Sequence, residues 1–556
     1  MDDQPIAPAI DPADPYRREA QTFPVLGEAM AARAAAYGRE ETLGHGTVLF
    51  ARGERSVDFF LVLDGAVEIY DLDEAGNPNV FTVHGPRQFT GELDLFNDRE
   101  ILVWGRAKGD TRVVRVPRAA FRSLVMGETD IGEIIMRAFI LRRVGLITHA
   151  QGGVTLIGPG HGGDTLRLQR FLSRNGYPHR LLDTEIEADA HGFLDAFDLK
   201  PAMLPVVILP GDRVLRNPST PELADTLGMT EPLDEARVHD VAVVGAGPAG
   251  LAAAVYAASE GLDTIVVEGL APGGQAGTSS KIENYLGFPT GISGQALAGR
   301  AQTQAQKFGA RLFVSREAVA LDCEERPYRL RLEDGRSIQA RAVVVATGAR
   351  YRKLDLPDYD RFEGAGIHYA ATGLEATLCR DEEVAIVGGG NSAGQAAMFL
   401  AGHARHVHIL VRGEGLAATM SDYLVQRIAQ SGRITLHPFT EVSRLEGDGG
   451  LAHVAWRDRK TGAEERRPIR NLFVMIGAAP NTDWLCGCLH LDDKGFVVTG
   501  RTEDGRALPS PYATSRAGVF AVGDVRSGSV KRVASGVGEG AVVVAAVHQF
   551  LAPGTA

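Results

Sequence analysis

The chain has 556 residues, a net charge of −12, and 44% hydrophobic and 23% charged residues, a composition that excludes disordered and fibrous classes of protein. Its length predicts several domains, because single hydrophobic cores seldom grow beyond about 250 residues. The negative charge argues against a general nucleic-acid-binding surface, which needs clustered lysines and arginines.

The amino-terminal stretch MDDQPIAPAIDPADPYRREA is acidic and rich in proline and alanine, and we predict that residues 1–21 form a flexible tail. It lacks the basic and apolar regions of a signal peptide. No apolar run reaches transmembrane length, and only four cysteines occur. These features predict a cytoplasmic protein without a membrane span.

Residues 22–150 alternate short apolar runs with turn residues, as in TVLFARGE and DFFLVLDGAVEIYDLDEAGNPN, and then gain helical spacing. This order predicts an antiparallel β-roll followed by helices. The stretches FLVLDGAVEIY and FTGELDLF make it resemble a cyclic nucleotide-binding domain.

That resemblance implies a ligand site at Gly91 and Glu92, with Glu92 on a ribose hydroxyl. It also implies an arginine on the cyclic phosphate near Ile101, where the sequence has ILVWG and the nearest candidates are Arg99 and Arg106. A cyclic phosphate without its arginine loses its main charge-assisted contact. Binding of cAMP or cGMP, another ligand, and a purely structural roll therefore all stay open.

Residues 151–231 predict the order strand, helix, strand, helix, strand, strand, helix, from VTLIGPG through AHGFLDAF to PELADTLG. This α/β pattern resembles a glutaredoxin or thioredoxin fold, with Pro205 where that fold keeps a cis proline. The resemblance puts the two redox cysteines of that fold at His161 and Asp164, so we predict a redox-inactive domain used for docking or spacing. Two such ligands without a third make no metal site, and no metal is predicted.

A glycine loop follows the linker EPLDEARVHD, where strand VAVV runs into GAGPAG and then a helix. In this setting Gly245 makes the tight turn, Gly247 lets a pyrophosphate approach, and Gly250 allows close helix packing. Glu268 ends the next strand and predicts a contact with ribose hydroxyls. A second loop, GGGNSA at 388–393, follows EEVAIV in the same way, so the sequence predicts two Rossmann-like nucleotide domains.

Residues 238–556 resemble the low-molecular-weight thioredoxin reductase family, because GGQ, ENYLGFP, ATGA, GGGNSA, FVMIGAAPNT and GVFAVGDV occur in the family's order. The resemblance implies an FAD domain of residues 238–356 and 475–556, an NAD(P)H domain of residues 357–474 inserted in it, and a homodimer. The implied FAD contacts are Gly245, Gly247, Pro248, Ala249, Gly250, Glu268, Gly274, Gln275, Asn284, Ala346, Gly348, Asp524, Lys531, Arg532 and Val533. The implied NAD(P)H contacts are Gly388, Gly390, Asn391, Ser392, Ala393 and Arg412.

Selection of the nicotinamide cofactor rests on Arg412 in this sequence. The family has a basic triplet there and a further arginine at the position of Ala417. A cation near the end of the second strand can bind the 2′-phosphate of NADPH, and no acidic residue ends that strand. We therefore predict that the cofactor is NADPH, with NADH as the alternative.

The stretch IHYAATGLEA, residues 367–376, falls where the family has a redox-active CxxC. Alignment to the family puts Ala370 and Gly373 on the two cysteines and Leu374 on the proton donor. Disulfide exchange needs a thiolate and a resolving thiol, so no catalytic side-chain nucleophile is predicted here. Cys486 and Cys488 can close only a strained ring. The other two cysteines, Cys323 and Cys379, are predicted to be isolated.

We therefore predict an FAD-dependent NAD(P)H oxidoreductase that passes hydride to the flavin and electrons directly to a non-disulfide acceptor, a quinone or a small redox protein. Regulation by the amino-terminal domain is a further hypothesis, and no nucleic-acid partner is expected. One alternative is a flavin-containing sensor or assembly protein without turnover. Another is a thioredoxin reductase that acts without a conventional CxxC.

Overall fold

The computed structural model describes residues 14–72, 76–186, 200, 203–209, 213–279, 281–363, 365–448, 450–485 and 487–552. The chain divides into two compact units. The first contains the chain up to Leu156 with Gly176–Leu182 and Val206–Pro232, and the second contains Ile157–Asn175, Asp183–Pro205 and Leu233–Ala556.

The first unit is built on an antiparallel sheet with the strand order β1-β5-β3-β4, in which β2 also pairs with β5. Helices α1 to α4 accompany it, and the buried rings of Phe59, Phe89, Phe121 and Phe139 pack together in its core. An antiparallel roll followed by helices confirms the predicted fold of this region. The elements are β1 Arg39–Leu43, β2 Val48–Phe50, β3 Phe59–Leu72, β4 Pro78–His84, β5 Trp104–Val116, α1 Glu19–Thr22, α2 Glu28–Ala35, α3 Arg118–Gly127 and α4 Thr129–Thr148.

Residues 14–21, which the sequence placed in a flexible tail, are folded. Pro15 is buried, and the Thr22 hydroxyl donates a hydrogen bond to its carbonyl oxygen at 2.7 Å. The Tyr16 ring stacks on the His149 ring with centroids 4.9 Å apart. These few apolar contacts could not be predicted from the acidic and proline-rich composition. The rest of the predicted tail, residues 1–13, lies outside the described residues.

A second, four-stranded sheet has the order β7-β6-β8-β9. The peptide bond before Pro205 is cis, at the position expected from the sequence. The predicted helix AHGFLDAF lies outside the described residues, so the thioredoxin-like fold of 151–231 stays a prediction. The elements are β6 Val154–Gly158, α5 Gly163–Arg174, β7 His179–Asp183, β8 Val206–Ile208, β9 Val214–Arg216 and α6 Thr220–Thr226.

The second unit contains a seven-stranded mixed sheet in the order β12-β11-β10-β15-β14-β13, with β26 beside β15. Strands β10, β11, β12, β15 and β26 run parallel, whereas β13 and β14 are antiparallel. The carboxy-terminal strand β26 thus returns to the sheet that the first glycine loop leaves. The elements are β10 Val238–Val244, α7 Pro248–Ser259, β11 Thr264–Glu268, α8 Gly294–Phe308, β12 Arg311–Val314, β13 Ala318–Asp322, β14 Tyr328–Leu332, β15 Ser337–Val345, β26 Val519–Ala521 and α13 Val533–Leu551.

A five-stranded parallel sheet in the order β17-β24-β18-β19-β20 is inserted between the two segments of that sheet. Strands β16 and β25 pair where the chain enters and leaves it. The two Rossmann-type sheets confirm the predicted fold class. The elements are β16 Ala349–Tyr351, α9 Tyr359–Phe362, β17 Ile367–His368, α10 Gly373–Leu378, β18 Glu383–Val387, α11 Asn391–Leu400, β19 His406–Leu410, α12 Asp422–Ala429, β20 Ile434–His437, β21 Thr440–Glu446, β22 His453–Asp458, β23 Glu464–Arg467, β24 Leu472–Val474 and β25 Ala478–Pro480.

Helix α13 is long and apolar enough to cross a membrane by length and composition, the one such helix in the described ranges. It packs closely on α7, because a Cβ added at Gly540 would lie 2.1 Å from the Ala249 carbonyl oxygen. Val543, Val544 and Val547 are buried in the same core. These contacts show that α13 is a core helix of the first nucleotide domain.

Candidate functional site

The first glycine loop leaves no room for side chains at two of its glycines. Gly245 has φ +102°, and a Cβ on it would lie 2.4 Å from the Ala346 carbonyl oxygen. A Cβ on Gly250 would lie 1.9 Å from the Gly245 carbonyl oxygen. Local packing therefore requires glycine at both positions.

The third glycine, Gly247, lies close to the backbone of Gly274. It caps α7 at the amino-terminal end without a side chain; a Cβ added at Gly247 would lie 4.0 Å from the Gly274 Cα, and a Cβ added at Gly274 would lie 3.0 Å from the Gly247 Cα. Amide groups at an uncapped helix start are available to an anion. The uncapped start of α7, beside this close contact of two glycines, therefore suits a dinucleotide pyrophosphate.

Glu268 stands at the end of β11, beside the same loop. Its Oε2 accepts a hydrogen bond from the Ala246 amide at 2.8 Å, and its Oε1 accepts from the Leu270 and Ala271 amides at 3.1 and 3.3 Å. A carboxylate has about four lone-pair sites, so capacity for a ribose hydroxyl remains. The structure therefore holds the acid in place for the role predicted from the sequence.

The remaining predicted FAD residues come from several loops of the second unit. Asp524 is half-buried, burial raises the pKa of its carboxyl group, and its carbonyl oxygen accepts a hydrogen bond from Lys531 Nζ at 3.1 Å. The Gln275 side chain donates to the Ala349 carbonyl oxygen. The other members occupy loop or helix-start positions, and they are Pro248 and Ala249 at the start of α7, exposed Asn284, Ala346 and Gly348 after β15, exposed Arg532, and Val533 at the start of α13.

The second glycine loop is subject to the same kind of steric constraint as the first. Gly388 has φ +139°, and a Cβ on it would lie 2.3 Å from the Met475 carbonyl oxygen. Gly390 caps α11 without a side chain, as Gly247 caps α7. The Asn391 side chain accepts a hydrogen bond from the Ser421 amide at 2.7 Å, which fixes the loop, while Ser392 is exposed and Ala393 is buried. The loop fits a second nucleotide.

Arg412 lies two residues after β19 and is exposed. Its position past the second strand of the inserted sheet is where a cation can meet a 2′-phosphate.

The segment 367–376, between the two loops, is held by a buried set of polar side chains. Arg170 of α5 donates from Nε to Glu375 Oε1 at 3.1 Å, and its Nη2 lies 2.8 Å from His368 Nδ1. His368 Nε2 lies 2.9 Å from Asn471 Oδ1. The exposed fractions of His368, Glu375 and Asn471 are 1%, 4% and 1%, so water screens this network little.

The partners of His368 define its protonation. A guanidinium only donates, so Nδ1 accepts and Nε2 carries the proton that is donated to Asn471. Burial, with the nearby Arg170 charge, lowers the pKa of His368 to about 4, so the ring is neutral at pH 7. Sequence reasoning missed these residues because Arg170 and Glu375 are 205 positions apart.

Helix α5 also reaches the first nucleotide domain. Arg174 donates from Nη2 to the Gly274 carbonyl oxygen at 3.0 Å, and Asn175 donates to the Leu270 carbonyl oxygen at 3.0 Å. Burial lowers the pKa of Arg174, and the Glu268 charge opposes that shift. One helix thus contacts both the loop beside the first nucleotide site and the segment between the two loops.

Comparison with known proteins assigns the family. The family profile described as pyridine nucleotide-disulphide oxidoreductase matches residues 239–540, and a cyclic nucleotide-binding domain profile matches residues 40–128. The chain belongs to the pyridine nucleotide-disulphide oxidoreductase family. FAD and NADPH are the cofactors of its thioredoxin reductase-like branch.

Relatives of this oxidoreductase are thioredoxin reductases. It is 36% identical over 317 residues to the thioredoxin reductase of Mycolicibacterium smegmatis, covering 57% of this chain and 97% of the relative. It is 33% identical over 321 residues to NADPH-dependent thioredoxin reductase 3 of Arabidopsis thaliana, covering 56% of this chain and 58% of that protein. A crystal structure of Lactococcus lactis thioredoxin reductase in its FR conformation has a TM-score of 0.51 and 26% identity, covering 56% of this chain and 98% of that chain.

The oxidoreductase contains a disulfide that the sequence did not predict, between Cys323 and Cys488, which are 165 positions apart. The expectation that Cys323 is isolated is therefore wrong, and Cys488 does not pair with its neighbour Cys486, which lies outside the described residues. Cys323 and Cys488 are 8% and 6% exposed and belong to the core cluster of the first nucleotide domain. Cys379 is free and buried, as expected.

The three residues predicted to bind a ligand in the amino-terminal roll are separated by the structure. Gly91 and Glu92 line a cavity of the first unit, whereas Arg99 is buried outside its lining. Ile101, Leu102 and Val103, in the place where the resemblance expected an arginine, line the cavity with apolar side chains.

Proposed function

We propose that this oxidoreductase transfers two electrons from NADPH to a non-disulfide acceptor, with a quinone as the first candidate. One observation carries the proposal. No two cysteines of the sequence are separated by two residues, and the alignment to the family puts Ala370 and Gly373 on the positions of the redox-active pair. Neither side chain can form the thiolate that disulfide exchange requires.

The balanced reaction converts NADPH, a quinone and one proton into NADP⁺ and a hydroquinone. When bound, FAD supplies the group that accepts hydride from NADPH and returns two electrons to the acceptor. The residues of the chain bind and orient FAD and NADPH. The amides at the start of α7 bind the pyrophosphate, Glu268 binds a ribose, and Arg412 pairs with the 2′-phosphate of NADPH.

The segment between the loops favours an acceptor that approaches the flavin directly. A Cβ added at Gly373 would have no heavy atom within 4 Å, so this position is open. Small side chains at 370–373 leave space where the family's disulfide would lie. The polar residues that follow, including Glu375, are held by Arg170, which supports a structural role for this segment.

The test is anaerobic reduction of the purified full-length enzyme by NADPH, followed by addition of a quinone, a flavodoxin or ferredoxin, or thioredoxin. We expect NADPH to bleach the flavin, and a quinone or a protein carrier to restore its absorbance while thioredoxin does not. Rapid reoxidation by thioredoxin would contradict the proposal. Failure of both NADPH and NADH to bleach the flavin would favour a sensor or assembly role without turnover.

The pairing of Cys323 with Cys488 supports a second candidate, a thioredoxin reductase with an unconventional disulfide. The low exposure of both cysteines opposes it, because exchange needs an accessible sulfur. The two candidates make different predictions for Cys323→Ser/Cys488→Ser. NADPH–quinone turnover stays unchanged if the disulfide is structural, whereas any thioredoxin reductase activity disappears if the disulfide is the redox centre.

Three further expectations belong to this proposal. The enzyme forms a homodimer, uses NADPH in preference to NADH, and changes its rate of flavin reduction when the amino-terminal domain binds a ligand. Only the covalent fusion of the domains motivates the last of these. An unchanged stopped-flow rate of flavin reduction at saturating ligand would contradict it.

A further inference from the structure

The antiparallel roll of the first unit forms a cavity that is open to solvent, and its empty space of about 680 Å³ includes that opening. Most of its lining is apolar, and the side chains include Phe23, Phe50, Ile69, Phe81, Val103 and Leu146. Such walls suit a ligand with an apolar body.

A buried guanidinium lies in the lining of this cavity. Arg142 of α4 is 6% exposed, and it donates from Nε to the Thr22 carbonyl oxygen and from Nη1 to the Gly91 carbonyl oxygen, each at 2.9 Å. Its Nη2 has no hydrogen-bond partner in the part of the chain that the structure describes. A buried donor without a hydrogen-bond partner costs folding free energy, so a ligand that accepts a hydrogen bond from Arg142 Nη2 would stabilise the protein.

A second polar atom of the lining is also unsatisfied. His84, at the end of β4, is 2% exposed, and among the described residues its Nδ1 has no partner. Burial and the Arg142 charge hold the pKa of His84 well below its usual range, so the ring is neutral and Nδ1 can carry a proton for donation. His84 and Arg142 line the same cavity.

The acids of the lining do not neutralise Arg142. Glu92 accepts from Arg143 Nε at 2.6 Å and also from Arg143 Nη2, which pairs in addition with Asp94 at 2.5 Å. Burial raises the pKa of Glu92 well above its usual range. Asp58, the third acid of the lining, lies 3.9 Å from Arg115 Nη1. Within the described ranges Arg142 forms no ion pair. Among the described residues, Arg142 is thus a buried guanidinium of the lining without a carboxylate partner.

We propose that this cavity binds an organic carboxylate with an apolar body, which accepts hydrogen bonds from Arg142 Nη2 and His84 Nδ1. A cyclic nucleotide suits it less well. Both carboxylate oxygens of Glu92 already accept hydrogen bonds from Arg143, so a ribose would share its expected acceptor with that guanidinium, and most of the remaining lining is apolar.

The first test compares ligands of equal length on the full-length protein by isothermal titration calorimetry. Decanoate is expected to bind with one site per chain, and decanol to bind at least about tenfold more weakly because it cannot form the charge-assisted bonds. Excess cAMP or cGMP is expected not to displace decanoate. Equal binding of decanoate and decanol, displacement by a cyclic nucleotide, or absence of decanoate binding would each overturn the proposal.

Variants of the lining give a second test. Arg142→Met is expected to abolish decanoate binding, and Arg142→Lys to retain part of it. Because Arg142 also supports the backbone, Val103→Trp provides an independent variant, which fills the cavity and keeps the charge. It is expected to bind neither decanoate nor decanol, while the surface variant Arg33→Met binds both as the unaltered protein does. Decanoate binding by a folded Val103→Trp protein at unchanged affinity would place the ligand elsewhere and overturn the assignment.

Discussion

Some glycines of the two nucleotide loops leave no room for a side chain, whereas Gly373, in the segment between the loops, does leave room for one. Cβ atoms added at Gly250 and Gly388 would lie 1.9 and 2.3 Å from carbonyl oxygens. At Gly373, a Cβ would have no heavy atom within 4 Å. Packing therefore requires these two loop glycines, but it does not explain why cysteine is absent from 370–373.

This difference distinguishes residues that backbone packing requires from residues that it does not require. The loops are constrained by backbone geometry and retain the features of a dinucleotide site. Gly373 in the segment between the loops is free of such a constraint, and His368 and Glu375, on either side of 370–373, contact Arg170 of α5. A change in the loops should therefore affect the cofactor, and a change in the segment should affect stability and access.

The largest effect is expected for Gly250→Val, which forces the start of α7 away from the loop. The purified variant should contain almost no FAD, measured as the ratio of visible flavin absorbance to protein absorbance. Gly373→Ala is the matched control and should bind FAD normally, because its added methyl group meets no atom. Loss of FAD in Gly373→Ala would contradict the interpretation that position 373 has room for a side chain whereas the loop glycine does not.

Arg170→Met should destabilise the second unit by about 3–5 kcal/mol, because it leaves the buried Glu375 carboxylate unpaired. The measurement is the urea dependence of unfolding, with Arg167→Met on the same helix as control. Arg167 pairs with Asp164 at a more exposed position, so its loss should change stability by less than about 1 kcal/mol. Equal stabilities of the two variants would show that the buried contact does not hold the segment.

Acid should weaken the same contact through His368. The pKa of its ring is about 4 in the folded protein and 6.5 in the reference state, so the unfolded chain binds the proton first. Stability is therefore lost as the pH falls from 6.5 to 4, by up to about 3 kcal/mol. His368→Gln keeps both hydrogen bonds and does not titrate, so its unfolding free energy should fall less over this range. Parallel curves for the two proteins would contradict the assignment.

The smallest effect is expected for Arg412→Ala at the second loop. It should raise the KM for NADPH about tenfold, the value of one exposed charge-assisted contact, and leave the KM for NADH unchanged. Steady-state turnover with a quinone measures both. An equal rise for the two nucleotides would mean that Arg412 does not contact the 2′-phosphate.

The fold and the nucleotide loops could be predicted because their signals are local. Gly245 and Gly250 stand five positions apart in a strand–turn–helix pattern, and their steric role follows from that pattern. The contacts from Arg170 and the pairing of Cys323 with Cys488 join residues 205 and 165 positions apart, which no local pattern encodes. Arg142 was missed because an arginine in an apolar helix has the sequence appearance of a surface charge.

Electron transfer without a dithiol is tested most directly by anaerobic titration of the full-length enzyme with dithionite, following the flavin absorbance. We expect complete reduction after two electrons per FAD, because no disulfide exchanges with the flavin. A requirement for four electrons that falls to two in Cys323→Ser/Cys488→Ser would contradict it and identify this disulfide as a redox centre.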